Sequence, residues 1–75
     1  MEKLLGILTK MYPDADVLTN EGLVDNGVLD SMGIITLIAE INDKIGVAIP
    51  ADEILPENFN SYASISALVE RLEDY

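Results

Sequence analysis

The stretch Leu29-Asp30-Ser31-Met32-Gly33 holds the residues of this chain best suited to chemistry. The Ser31 hydroxyl has the Asp30 carboxyl directly before it. The pair stands where a polar loop gives way to an apolar, helix-like run. Ser31 is therefore expected at a helix N-terminus, where free N–H groups and the macrodipole favour negative charge. A serine becomes a catalytic nucleophile when a base takes its proton. The chain has no histidine and no cysteine, so the sequence shows no such base. The arrangement suits a serine that another enzyme modifies, since a phosphodiester on Ser31 would lie against those N–H groups.

A plainer reading exists. Asp and Ser both cap helices, typically for ~1 kcal/mol. The context adds to this: Gly33 removes bulk close to the serine, and a long polar loop leaves the site open.

The elements that must hold Ser31 follow from periodicity. Leu4, Ile7, Leu8 and Met11 share one face of a first helix from about Glu2 to Met11, ended by Pro13. Tyr12 to Asp30 is a long connection, which Val17, Leu18, Leu23, Val24, Val28 and Leu29 can pin to the core. Asp25-Asn26-Gly27 is a turn signal within it. A second helix runs from about Ser31 to Ile45, with Gly46 as a left-handed cap. A short third helix is expected from Pro50 or Ala51, with Asp52 and Glu53 in its first turn and Pro56 limiting it. The last helix begins between Ser61 and Ser64, either serine being a plausible cap. It carries Ile65, Leu68, Val69 and Leu72 as its stripe. The predicted fold is all-α: a small four-helix bundle of three longer helices and one short third helix, in one domain spanning residues 1–75.

Composition narrows the partners. Fourteen acids against four bases leave a net charge of −10 on 75 residues. Such a surface repels nucleic acid and anionic membrane and favours basic protein patches. No apolar run reaches the ~18 residues of a membrane span. The N-terminal segment reads as a helix and not as a signal peptide. These features predict a cytoplasmic monomer without membrane insertion. The core must be aliphatic, since only 5% of residues are aromatic and none is cysteine.

The second helix has more apolar residues than one core face needs. Ile34, Ile38, Ile41 and Ile45, flanked by Leu37, fall within roughly 60° of one another. Met32, Ile35 and Ala39 lie roughly 100° to 160° away, bordered by Thr36 and Asp43. Two readings stand side by side. The helix is central and buried on most sides, or it presents a shallow apolar docking surface beside Ser31.

Gly27-Val28-Leu29-Asp30-Ser31-Met32-Gly33 resembles the modification motif of acyl and peptidyl carrier proteins. Ile45-Gly46-Val47-Ala48-Ile49-Pro50 resembles that family's stretch after its second helix. Ser64-Ile65-Ser66-Ala67-Leu68-Val69 resembles the start of its last helix. The resemblance covers essentially the full length. It implies that Ser31 carries 4′-phosphopantetheine, donated from coenzyme A by a phosphopantetheinyl transferase. Asp30 would assist by helping to position metal or transferase. The arm's thiol would hold an acyl or aminoacyl group as a thioester, so the chain itself would not be an enzyme. Further partners would be an acyl- or aminoacyl-activating ligase and a downstream acyltransferase or synthase. The family docks through its second helix, which would make Met32, Ile35, Thr36, Ala39 and Asp43 partner contacts.

Within the family, fatty-acid carriers place several acids on the exposed side of the second helix. Here Gly33, Thr36 and Ala39 occupy those places. The Asp-Ser-Met-Gly motif, with Glu53 and Phe59-Asn60-Ser61, is similar to D-alanyl carrier proteins of teichoic acid modification. Those often have tryptophan at the position of Phe59 and proline at that of Tyr62. Three readings from other classes are weaker or plainer. An acid–base enzyme lacks a visible carboxylate pair and room for a pocket. A calcium loop fails because Leu23 and Met32 fall at ligand positions. An unmodified acidic helical interaction module would share the fold, with Ser31 as a mere cap.

Overall fold

The computed structural model describes residues 2–73. Four α-helices appear in chain order: α1 (Glu2–Met11), α2 (Ser31–Lys44), α3 (Pro56–Phe59) and α4 (Tyr62–Glu73). A single 3-10 turn, Ala51–Glu53, precedes α3. No strand occurs among the described residues. The all-α expectation is met, and the boundaries of α1 and α2 fall within a residue of those read from periodicity.

α1 buries Leu4, Ile7 and Leu8, and α4 buries Ile65, Leu68 and Val69. Phe59 is fully buried at the end of α3. From the long connection, Val17, Leu23 and Leu29 enter the same core. Leu18 does not; it is 60% exposed, contrary to expectation. Residues 16–20 form a tight turn, with Thr19 N and Asn20 N both donating to Asp16 O. Val17 takes the inward position on that turn, and Leu18 is left outside.

The buried row of α2 also differs from the expected one. Gly33, Leu37 and Ile41 are buried, whereas Ile34, Ile38 and Ile45 are half-buried. Leu37 and Ile41 belong to the core itself, and Ile34, Ile38 and Ile45 pack against its edge. α2 ends as predicted. Gly46 has φ +81, and its N–H reaches Ile41 O and Asn42 O, both at 3.1 Å. That is the left-handed cap glycine provides without a Cβ penalty.

The short third helix is corrected. Pro56 does not limit a helix begun at Ala51; it starts α3. Its missing N–H is harmless at a first helical position. Leu55 before it is extended, at φ −120 and ψ 143. Only one 3-10 turn forms upstream of it. That turn is fastened by Asn58 Nδ2 donating to Glu53 O at 2.8 Å and by Arg71 Nη2 against Glu53 Oε1 at 2.8 Å. For α4 the cap is Ser61, whose Oγ accepts from Ser64 N at 3.0 Å.

Asn60 ties the long connection to the α3–α4 corner. Its backbone carbonyl accepts from Leu23 N at 2.7 Å. Its side-chain Oδ1 accepts from Val24 N at 2.9 Å and from Asp25 N at 3.1 Å. Gly27, at φ +80, completes the predicted turn, and Leu29 N then donates to Leu23 O at 2.8 Å. The second half of the connection, residues 23–29, is thereby fixed before it delivers Asp30 to α2.

Candidate functional site

Asp30 is the N-cap of α2. Its backbone is extended, at φ −91 and ψ −175, and Oδ1 accepts from Gly33 N at 2.8 Å. Ile34 N donates to Asp30 O at 2.9 Å, which closes the first helical turn. Ser31 is therefore the first helical residue and not the cap. Its side chain is exposed and makes no hydrogen bond among the described residues. The N–H groups of Ser31 and Met32 likewise have no acceptor among those residues.

The site thus offers an open hydroxyl beside two free N–H groups at the positive end of a 14-residue helix. A phosphodiester on that hydroxyl would find donors and a favourable dipole without displacing a protein group. The residues present fit phosphopantetheine at this place.

Tyr12, the residue after α1, supplies the back of the site. Its hydroxyl stands so close to the Gly33 α-carbon that a β-carbon there would overlap it. Asp30 Oδ1 and Leu29 Cδ2 would also crowd such a β-carbon, at 3.2 and 3.4 Å. Burial, and secondly the negative charge of Asp30, push the Tyr12 phenol pKa above its ordinary 10.0. Nothing in the spacing of the sequence singled out Tyr12. Gly33 was the one hint, a glycine inside a first turn.

The surplus apolar arc of α2 faces outward. Met32 is 69% and Ile35 58% exposed, and Thr36, Ala39 and Asp43 are exposed as well. These positions lie nearly opposite the Leu37–Ile41 row, so α2 is not buried on most sides. Asp43 Oδ2 lies 3.9 Å from Lys44 Nζ, which partly offsets its charge. Ile54 and Leu55, exposed at 39% and 41%, are further large apolar residues at the surface, and no periodicity in the chain points to them.

An all-helical domain with an exposed serine at a capped helix start has room for a carrier's arm. The chain belongs to the family whose model is described as "Phosphopantetheine attachment site", which matches residues 1–72. The chain is 35% identical over 71 residues to the D-alanyl carrier protein of Streptococcus suis (strain 05ZYH33). That match covers 92% of this chain and 90% of the relative. It is 37% identical over 72 residues to D-alanyl carrier protein 1 of Lactiplantibacillus plantarum, covering 93% of this chain and 89% of the relative. The protein is a phosphopantetheine carrier, with the arm covalently attached through a serine. When attached, the arm supplies the thiol on which an acyl or aminoacyl group is held as a thioester. Membership implies transferase and ligase partners in general. No described helix is long and apolar enough to cross a membrane.

Proposed function

We propose that Ser31 is the attachment serine and that the cargo is an activated amino acid, D-alanine in the first instance. One observation carries the first part: Ser31 is exposed and unbonded, while Asp30 does the capping. The chain's residues then have separate tasks. Asp30 holds the helix start and leaves the Ser31 hydroxyl and two N–H groups open to the transferase. Its charge also helps to position metal or transferase. Attachment forms a bond from Ser31 Oγ to the phosphorus on the pantetheine side of coenzyme A's pyrophosphate as the P–O bond to the nucleotide breaks; adenosine 3′,5′-bisphosphate leaves, and the serine proton passes to a base on the transferase. The names of the relatives support D-alanine as cargo.

Met32, Ile35, Thr36, Ala39 and Asp43 form the face on which the transferase, an aminoacyl-activating ligase and a downstream acyltransferase dock. The apolar exposure of Met32 and Ile35 next to the attachment point supports that reading. Catalysis belongs to those enzymes, and the carrier works as a single cytoplasmic domain and a monomer. Light scattering and cell fractionation test the last two points, and a dimer or a membrane-bound pool would oppose them.

The decisive experiment is intact mass after incubation with coenzyme A, magnesium and a promiscuous phosphopantetheinyl transferase. The wild type should gain one phosphopantetheinyl mass and Ser31→Ala none. An adduct retained in Ser31→Ala removes the assignment. Offering the loaded arm ATP, a D-alanine-activating ligase and competing amino or fatty acids then reads the cargo. Preferential loading of another acid would replace D-alanine.

A further inference from the structure

Basic residues are scarce in this chain, and their placement is uneven. Arg71 is paired with Glu53 at 2.8 Å, and Lys44 lies 3.5 Å from Glu40 and 3.9 Å from Asp43. Lys3 and Lys10 make no ion pair among the described residues, although acids outnumber bases fourteen to four. Lys3, Lys10 and Lys44 all border one groove between α1 and α2, of about 480 Å³. Gly6, Ile7 and Met11 form its apolar part, and Glu40 stands on the α2 side beside Lys44. On the α2 side the groove is lined by Glu40 and Lys44, in the half of that helix away from Ser31.

Lys3 and Lys10 are two turns apart on one face of α1, a rise of about 10 Å. Gly6 lies between them. A β-carbon at Gly6 would meet nothing within 4 Å, so no neighbouring group requires a glycine there. The missing side chain leaves a notch between the two free ammonium groups. Lys44 on the α2 wall is offset by Glu40 and Asp43, so the two unpaired ammonium groups of Lys3 and Lys10 make the α1 side of the notch locally positive on a chain of net charge −10.

We propose that this groove docks an acidic amphipathic helix of a partner protein. Two carboxylates seven residues apart on that helix would meet Lys3 and Lys10, and an aliphatic side chain between them would enter the notch at Gly6. Charge complementarity selects the partner, and the notch fixes its register. A second copy of this chain lacks the pattern. The exposed acids of α2 and α4, Asp43, Glu70 and Glu73, include no pair seven residues apart on one helix. This surface is separate from the α2 face beside Ser31 and does not depend on which serine is modified.

The probe is a labelled helical peptide of about 15 residues with Glu at i and i+7 and Leu at i+3 and i+4. Binding to the full chain is read by anisotropy and by amide NMR shifts. Expected are a dissociation constant of roughly 10–500 μM and shifts centred on Gly6, Ile7, Lys10, Met11 and Lys44. The double change Lys3→Glu and Lys10→Glu should weaken binding about tenfold and create preference for a Lys-bearing version of the peptide. Gly6→Leu should weaken both interactions by filling the notch, with helicity by circular dichroism unchanged. Ser31→Ala should bind as the wild type does. Equal affinity for the Glu and Lys peptides would overturn the proposal. So would shifts centred on Met32 and Ile35, binding to anionic phospholipid vesicles in place of the peptide, or no saturation at millimolar peptide.

Discussion

The Tyr12 hydroxyl rests against the α-carbon of Gly33, where no side chain could fit. The contact joins the end of α1 to the first turn of α2 and sets how close the two helices come beside Ser31. A glycine that looked like mere relief of bulk at the modification motif is thus also a packing requirement.

Gly33→Ala should destabilise the fold by ~1–3 kcal/mol through overpacking. That exceeds the gain of up to ~1 kcal/mol in helix propensity. Tyr12→Phe in the same background removes the crowding oxygen and should recover part of the loss. Urea denaturation measures both, and an unchanged Gly33→Ala midpoint would mean that Tyr12 swings aside freely.

Tyr12 also makes stability depend on alkaline pH. Burial, then Asp30, raise its pKa above 10.0, so the folded state keeps this proton to higher pH than the unfolded chain does. The resulting stability is complete below pH 10.0 and is lost as pH rises through the folded-state pKa. Tyr12→Phe should lose less stability over that range. Denaturation curves taken at increasing pH read the difference, and parallel decline of the two proteins would remove the effect.

Asp30 has two jobs that substitution can separate. Asp30→Ala loses the cap to Gly33 N and should cost about 1 kcal/mol. Asp30→Asn keeps a capping oxygen and should be nearly neutral. Both should slow phosphopantetheine loading if the negative charge guides the transferase. Wild-type loading rates in Asp30→Asn would restrict Asp30 to capping.

Asn60→Ala removes the acceptor shared by Val24 N and Asp25 N. The expected loss is ~1–3 kcal/mol. Amide exchange should quicken in residues 22–29 more than in α2. Uniform quickening would instead point to global destabilisation without local release.

The two faces of α2 should respond in opposite ways. Ile35→Ser should change stability by no more than ~0.5 kcal/mol yet reduce turnover with a partner ligase or transferase. Leu37→Ala should cost ~2–5 kcal/mol and, where still folded, leave docking contacts intact. Full partner turnover with Ile35→Ser would take Ile35 out of the docking face.

Much of this was legible in the chain itself. The i, i+3, i+4 spacing of α1 and α4, the Gly46 cap and the Gly27 turn are local patterns, and local backbone geometry enforces them. Pro56 is ambiguous in the chain alone, because proline ends one helix and starts another equally well, and only the extended Leu55 before it decides which. The turn at residues 16–20 shows Val17 and not Leu18 to the core, and hydrophobicity alone does not say which of two adjacent apolar residues faces inward.

The residue sequence by itself determined an all-helical domain, an acidic surface and a serine poised at a helix start. These depend on composition and on spacings of a few residues. Tertiary structure alone decided that Asp30 caps and leaves Ser31 free, that Met32 and Ile35 face outward, and that Tyr12 meets Gly33. It also brought Asn60 to Val24 across 36 residues and gathered Lys3, Lys10 and Lys44 around one groove. Such pairings arise when whole helices pack, and no local pattern encodes which distant side chains then become neighbours.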